Sequence, residues 1–102
     1  MQNLEFLTLM LQQNQIQNVG ITNLTIGLSK SKKLNLLNLE LMQNEINQQG
    51  AILFGSQIKN ISSLQTLFIN LRQNSINTYG RIILRQSIRK INNLVKFNLK
   101  II

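Results

Sequence analysis

The chain has no cysteine, histidine, proline or tryptophan, and its only acidic residues are Glu5, Glu40 and Glu45. Each absence removes a class of function. Without Cys or His there is no thiol nucleophile, no Ser-His-Asp triad and no usual zinc site. A disulfide scaffold is excluded as well. Three isolated glutamates give acid–base or hydrolytic chemistry almost nothing to work with. A Ser–Lys pair around Lys30–Lys33 would lie at an exposed helix end, with nothing to activate the lysine. We therefore expect no catalytic residues, no cofactor, no metal and no small-molecule substrate. Long hydrophobic runs are missing too: no apolar stretch approaches the roughly eighteen residues of a membrane span. The opening stretch Leu4–Leu11 lacks a basic start and a small-residue cleavage site, and Glu5 interrupts it, so it does not read as a secretory leader. These features point to a cytoplasmic protein, in which the sequons at Asn23 and Asn60 are chance matches in an Asn-rich chain.

What is present is unusual in balance. Of 102 residues, 27 are carboxamides (15 Asn and 12 Gln), set among 18 Leu and 15 Ile. The carboxamides alternate with Leu and Ile, which argues against simple disorder. The length is that of a single domain.

The sequence repeats itself every 30 residues without a gap. Leu4, Leu34, Leu64 and Leu94 share one register, and Leu7, Leu37, Leu67 and Phe97 share the next. Leu9, Leu39, Ile69 and Leu99 follow, then Leu11, Leu41, Leu71 and Ile101. Gln13-Asn14 recurs as Gln43-Asn44 and Gln73-Asn74. Ile16 and Gly20 recur as Ile46 and Gly50, then as Ile76 and Gly80. The units are 4–33, 34–63 and 64–93, with a partial fourth at 94–102. Each unit changes period internally. Leu7-x-Leu9-x-Leu11 alternates, as a strand with one buried face does. After the Gly, the steps Phe54, Ile58, Ile61 and Leu84, Ile88, Ile91 fall on one helix face, whereas Leu24 and Leu28 are followed by Ser31. A strand, a turn and a helix of about three turns are expected per unit. Neither element can bury its apolar face alone, but stacked units can.

The pattern Phe6-x-x-Leu9-x-Leu11-x-x-Asn14-x-Ile16-x-x-x-Gly20 resembles the leucine-rich repeat. Its length and the Gly six residues after the Asn are similar to the ribonuclease-inhibitor-like class. The first consensus position departs from Leu, being held by Phe6, Leu36 and Thr66. The resemblance implies an α/β right-handed solenoid, a horseshoe arc with parallel strands on the concave side and helices on the convex side. It also implies protein recognition on the concave face and, often, fusion to other domains such as protein kinases. Asn14, Asn44 and Asn74 follow each strand and are expected to form a ladder of side-chain bonds to backbone. The glycines are expected to let helix approach strand closely.

Positions between the inward Leu residues should face outward in three columns: Thr8, Asn38, Phe68, Asn98; Met10, Glu40, Asn70, Lys100; and Gln12, Met42, Arg72, Ile102. Met10, Glu40, Met42, Phe68, Asn70 and Arg72 are the candidate protein-binding residues, and a merely solvated face is the competing reading. Charge is uneven. Residues 1–50 carry three Lys and three Glu, whereas residues 51–102 carry eight Lys+Arg and no acid, which accounts for the net +8. Arg81, Arg85 and Arg89 step by four along the third helix and, with Lys90, are the candidate site for a polyanion such as nucleic acid or an anionic membrane. The competing reading is a solvated helix face whose long side chains cover apolar surface. Lys30–Lys33 should close the first helix, where cations suit the dipole. Neither end carries a capping unit, so a longer array is expected, or self-association through the bare ends.

Overall fold

The computed structural model describes residues 4–102, in which strand and helix alternate: β1 (Phe6–Met10), α1 (Gln17–Leu28), β2 (Leu36–Glu40), α2 (Gln48–Ile58), β3 (Thr66–Asn70), α3 (Thr78–Arg89) and β4 (Lys96–Lys100). The four strands form one parallel sheet in chain order, β1-β2-β3-β4. Parallel neighbours need a long crossover, and each helix supplies one. Strand pairing follows the 30-residue shift throughout, so that Phe6 lies beside Leu36, Leu36 beside Thr66 and Thr66 beside Lys96. A slip of one residue would turn the whole Leu set to solvent, and this fixes the register.

Leu37, Leu39, Leu67 and Ile69 are buried under the helices, together with Ile21, Leu28, Phe54, Ile58, Leu84 and Ile88. These belong to a single core cluster against which Leu7, Leu9, Phe97 and Leu99 of the outer strands are half-buried. Burying one such side chain contributes about 1.5–3 kcal/mol. α1 packs on α2 and α2 on α3. The helices therefore make one layer, and the other face of the sheet is open.

The turns after the strands carry the carboxamides. Asn44 Oδ1 accepts the N–H groups of Asn14 (2.9 Å) and Ile16 (3.2 Å), while its Nδ2 donates to the carbonyl oxygens of Leu11 (2.8 Å) and Met42 (3.2 Å). Asn74 repeats this one unit on, accepting from Asn44 and Ile46 N–H and donating to the Leu41, Leu71 and Arg72 carbonyls. Each carboxamide thus reaches back and satisfies the backbone of the preceding unit. Asn14 is the correction: it is exposed, and among the described residues its side chain donates only to the nearby Gln12 carbonyl. No described unit precedes it, so it enters the ladder through its backbone alone. Folding the chain around these side chains puts Gln13, Gln43 and Gln73 at φ 61°, 56° and 60°. That left-handed backbone costs each of them about 1–2 kcal/mol. The Gln13 side chain donates through Nε2 to the side-chain Oε1 of Gln43 at 2.7 Å, so the first two of these glutamines also bond along the stack.

Three local expectations are revised. Ile61 and Ile91 are buried, but they lie in the turns after α2 and α3 rather than on the helices. The glycines sit inside the first turn of each helix, and what crowds them is not a strand. A Cβ on Gly50 would stand 2.1 Å from the side-chain oxygen of Asn18 in α1, and one on Gly80 would stand 2.8 Å from Gln48 Cβ in α2. They permit close approach between consecutive helix starts. The cations of Lys30–Lys33 follow α1 without entering its last turn, which holds no basic residue.

Candidate interaction surface

The open face of the sheet is built by strand alternation. With Leu7 and Leu9 turned to the core, Phe6, Thr8 and Met10 must point the other way. Pairing sets Thr8, Asn38, Phe68 and Asn98 in one row, and Met10, Glu40, Asn70 and Lys100 in a second. A third row, Phe6, Leu36, Thr66 and Lys96, lies on the same face. Its first three members hold the position that aligns with the leading consensus Leu of the repeat pattern. The signal was present in the spacing, because residue 6 is out of phase with Leu7 and Leu9. Phe6 is 64% exposed and Met10 60% exposed, large apolar side chains without cover.

Around Phe68 the face is hollowed into a cleft of about 210 Å³ lined by Asn38, Glu40, Phe68, Asn70, Asn98 and Lys100. The Lys96 ammonium stands 5.5 Å from the centre of the Phe68 ring, within cation–π range. Met42 is half-buried and Arg72 exposed beyond the strand ends. Asn70 differs from what its column suggested: it is 8% exposed, and its side-chain oxygen accepts the Arg72 N–H at 3.1 Å. It shapes the floor of the cleft and offers little surface of its own.

The basic candidates separate. Arg81, Arg85 and Arg89 line one groove of about 310 Å³ with Ile82, Ile101 and Ile102. Arg81 is tied down there, donating to the Thr78 hydroxyl (3.0 Å) and the Ile76 carbonyl (3.5 Å). Lys90 lies elsewhere, beside Lys59, Asn60 and Ser62 in a cleft of about 230 Å³. Arg89 and Lys90 are neighbours in sequence, but they serve different concavities.

Glu40 lies on the open face and Glu45 in the following turn at φ 59°. Among the described residues no group of three or more potential ligands gathers to hold a metal ion. Among the described residues, too, no helix is long and apolar enough to cross a membrane. No protein-family model matches the chain, and comparison with curated proteins finds no relative.

Proposed function

We propose that this chain is a run of leucine-rich repeats of the ribonuclease-inhibitor-like kind, an arc with its sheet on the inner side, and that it works as a non-enzymatic protein-binding module through that sheet. The observation that carries the reading is the open sheet face. Rows of aligned side chains cross four strands, apolar groups at Phe6 and Met10 stand uncovered, and a cleft opens beside Phe68. Exposed aromatic and Met side chains beside Arg are the residue types that anchor protein interfaces. The ladder of Asn44 and Asn74 supports the repeat reading, since it ties each unit to the next at the position where the repeat pattern has its Asn.

The test is a comparison of two variants in one interaction assay. Phe68→Ala with Met42→Ala should abolish capture of the protein partner, while Arg81→Gln, Arg85→Gln and Arg89→Gln together should leave it intact. The arginine groove favours a second reading, polyanion binding. It predicts the reverse pattern, and a log–log salt slope of roughly −0.9 per phosphate contact on duplex DNA. A partner retained by the Phe68/Met42 variant and lost by the arginine variant would overturn the sheet-face reading.

A further inference from the structure

The open face is not uniform along the sheet. At the β1–β2 side it presents Phe6, Met10 and Leu36; at the β3–β4 side it presents Arg72, Lys96 and Lys100. The two ends are three strand spacings apart, about 14 Å. Phe68 lies between them. Its ring forms a wall of the cleft while carrying the Lys96 ammonium. The basic end has no carboxylate on its own strands, because all three acids of the chain lie before residue 46.

We infer that the partner of this face is a polypeptide segment with apolar side chains at one end and a run of carboxylates at the other. It would lie across the strands with its apolar end over Phe6 and Met10 and its acidic end over Lys96 and Lys100. This rests on the sheet-face reading above and adds the chemistry of the partner. Charge complementarity sets the orientation, and it gives specificity and encounter rate more than raw affinity. A nucleic acid fits the same face less well. Glu40 stands in the row between Met10 and Lys100, where it would repel a phosphate chain. Aliphatic Met10 and Leu36 offer no platform on which successive bases could stack.

The experiment uses the full chain and three fluorescein-labelled twelve-residue peptides sharing one apolar half, Phe and Leu in alternation with Ser. The second half carries four Glu, four Gln or four Lys. At 50 mM salt the Glu peptide should bind at least tenfold more tightly than the Gln peptide, and the Lys peptide should bind least. Raising salt to 300 mM should narrow the Glu/Gln gap severalfold, since exposed charges are screened beyond a Debye length. Lys96→Glu with Lys100→Glu should remove the Glu preference while leaving Gln-peptide binding in place. Phe68→Ala should weaken both peptides. These side chains lie on the open face, and an unchanged circular dichroism spectrum and melting curve verify that each variant folds. Equal binding of Glu and Gln peptides, both weakened by Phe68→Ala, would overturn the acidic partner and leave the sheet-face reading standing. A Glu preference that survives Lys96→Glu/Lys100→Glu but falls with Arg81→Gln, Arg85→Gln and Arg89→Gln would overturn both. So would binding of none of the three peptides together with tight binding of a twelve-residue oligothymidylate.

Discussion

The first and second units share Leu, Gln, Asn, Ile and Gly at eight positions, yet these residues live in different surroundings. Leu37 and Leu39 are fully buried, whereas Leu7 and Leu9 are half-buried. Asn44 is fully buried and makes four bonds through its side chain, whereas Asn14 is exposed and makes one. Asn47 caps α2 by accepting from Gln49 and Gly50 N–H, whereas the equivalent Gln17 stands at φ 65° and α1 has no side-chain cap. An identical residue is therefore stabilising here only in proportion to what the adjoining units put against it. That is the nearest-neighbour energetics expected of stacked repeats.

The comparison can be broken most sharply in the core. Leu37→Ala should cost about 3–5 kcal/mol and Leu7→Ala about half as much, because the β1 site can relax toward solvent. Urea titration of the two variants measures the gap, and equal losses would contradict it. Next come the carboxamides. Asn44→Ala leaves two N–H groups and the Leu11 carbonyl without their partner, so a loss of about 2–3 kcal/mol is expected, against under about 0.5 kcal/mol for Asn14→Ala.

The glycines sharpen the point further. Gly50→Ala forces a methyl group into Asn18 and Ile46, so thermal melting should fall despite the better helix propensity of Ala. At Gly27 nothing lies within 4 Å of the added Cβ, and Gly27→Ala should stabilise by about 0.5–1 kcal/mol. A gain of similar size is expected at Ser31. It occupies the place of Ile61 and Ile91, it is buried, and among the described residues its hydroxyl has no partner. Ser31→Ala should gain about 0.5–1 kcal/mol by removing a buried, unsatisfied donor.

Much of the architecture could be read from spacing alone. The 30-residue shift of Leu and Ile set the strand register, because buried alternation admits only one pairing. Ser31 was legible as the odd member of its register for the same reason. The outward rows through Thr8 and Met10 followed from alternation too, and so should the row through Phe6 have done. What spacing could not disclose was direction and surroundings. Nothing in the recurrence of Asn says that its side chain reaches to the preceding unit, and so Asn14 looked equal to Asn44. Nothing in the column of Asn70 shows that its carboxamide turns down to the Arg72 N–H. The separation of Lys90 from Arg89 likewise depends on where α3 ends, which a run of basic residues does not mark.

The most direct test of the unit-to-unit coupling is amide hydrogen exchange on Asn44→Ala. The Asn14 and Ile16 amides donate to Asn44 Oδ1, while those of Asn44 and Ile46 donate to Asn74 Oδ1. In the variant the first pair should exchange at nearly unprotected rates while the second pair keeps most of its protection. If all four amides kept their native protection, the side-chain ladder would not be what joins one unit to the next.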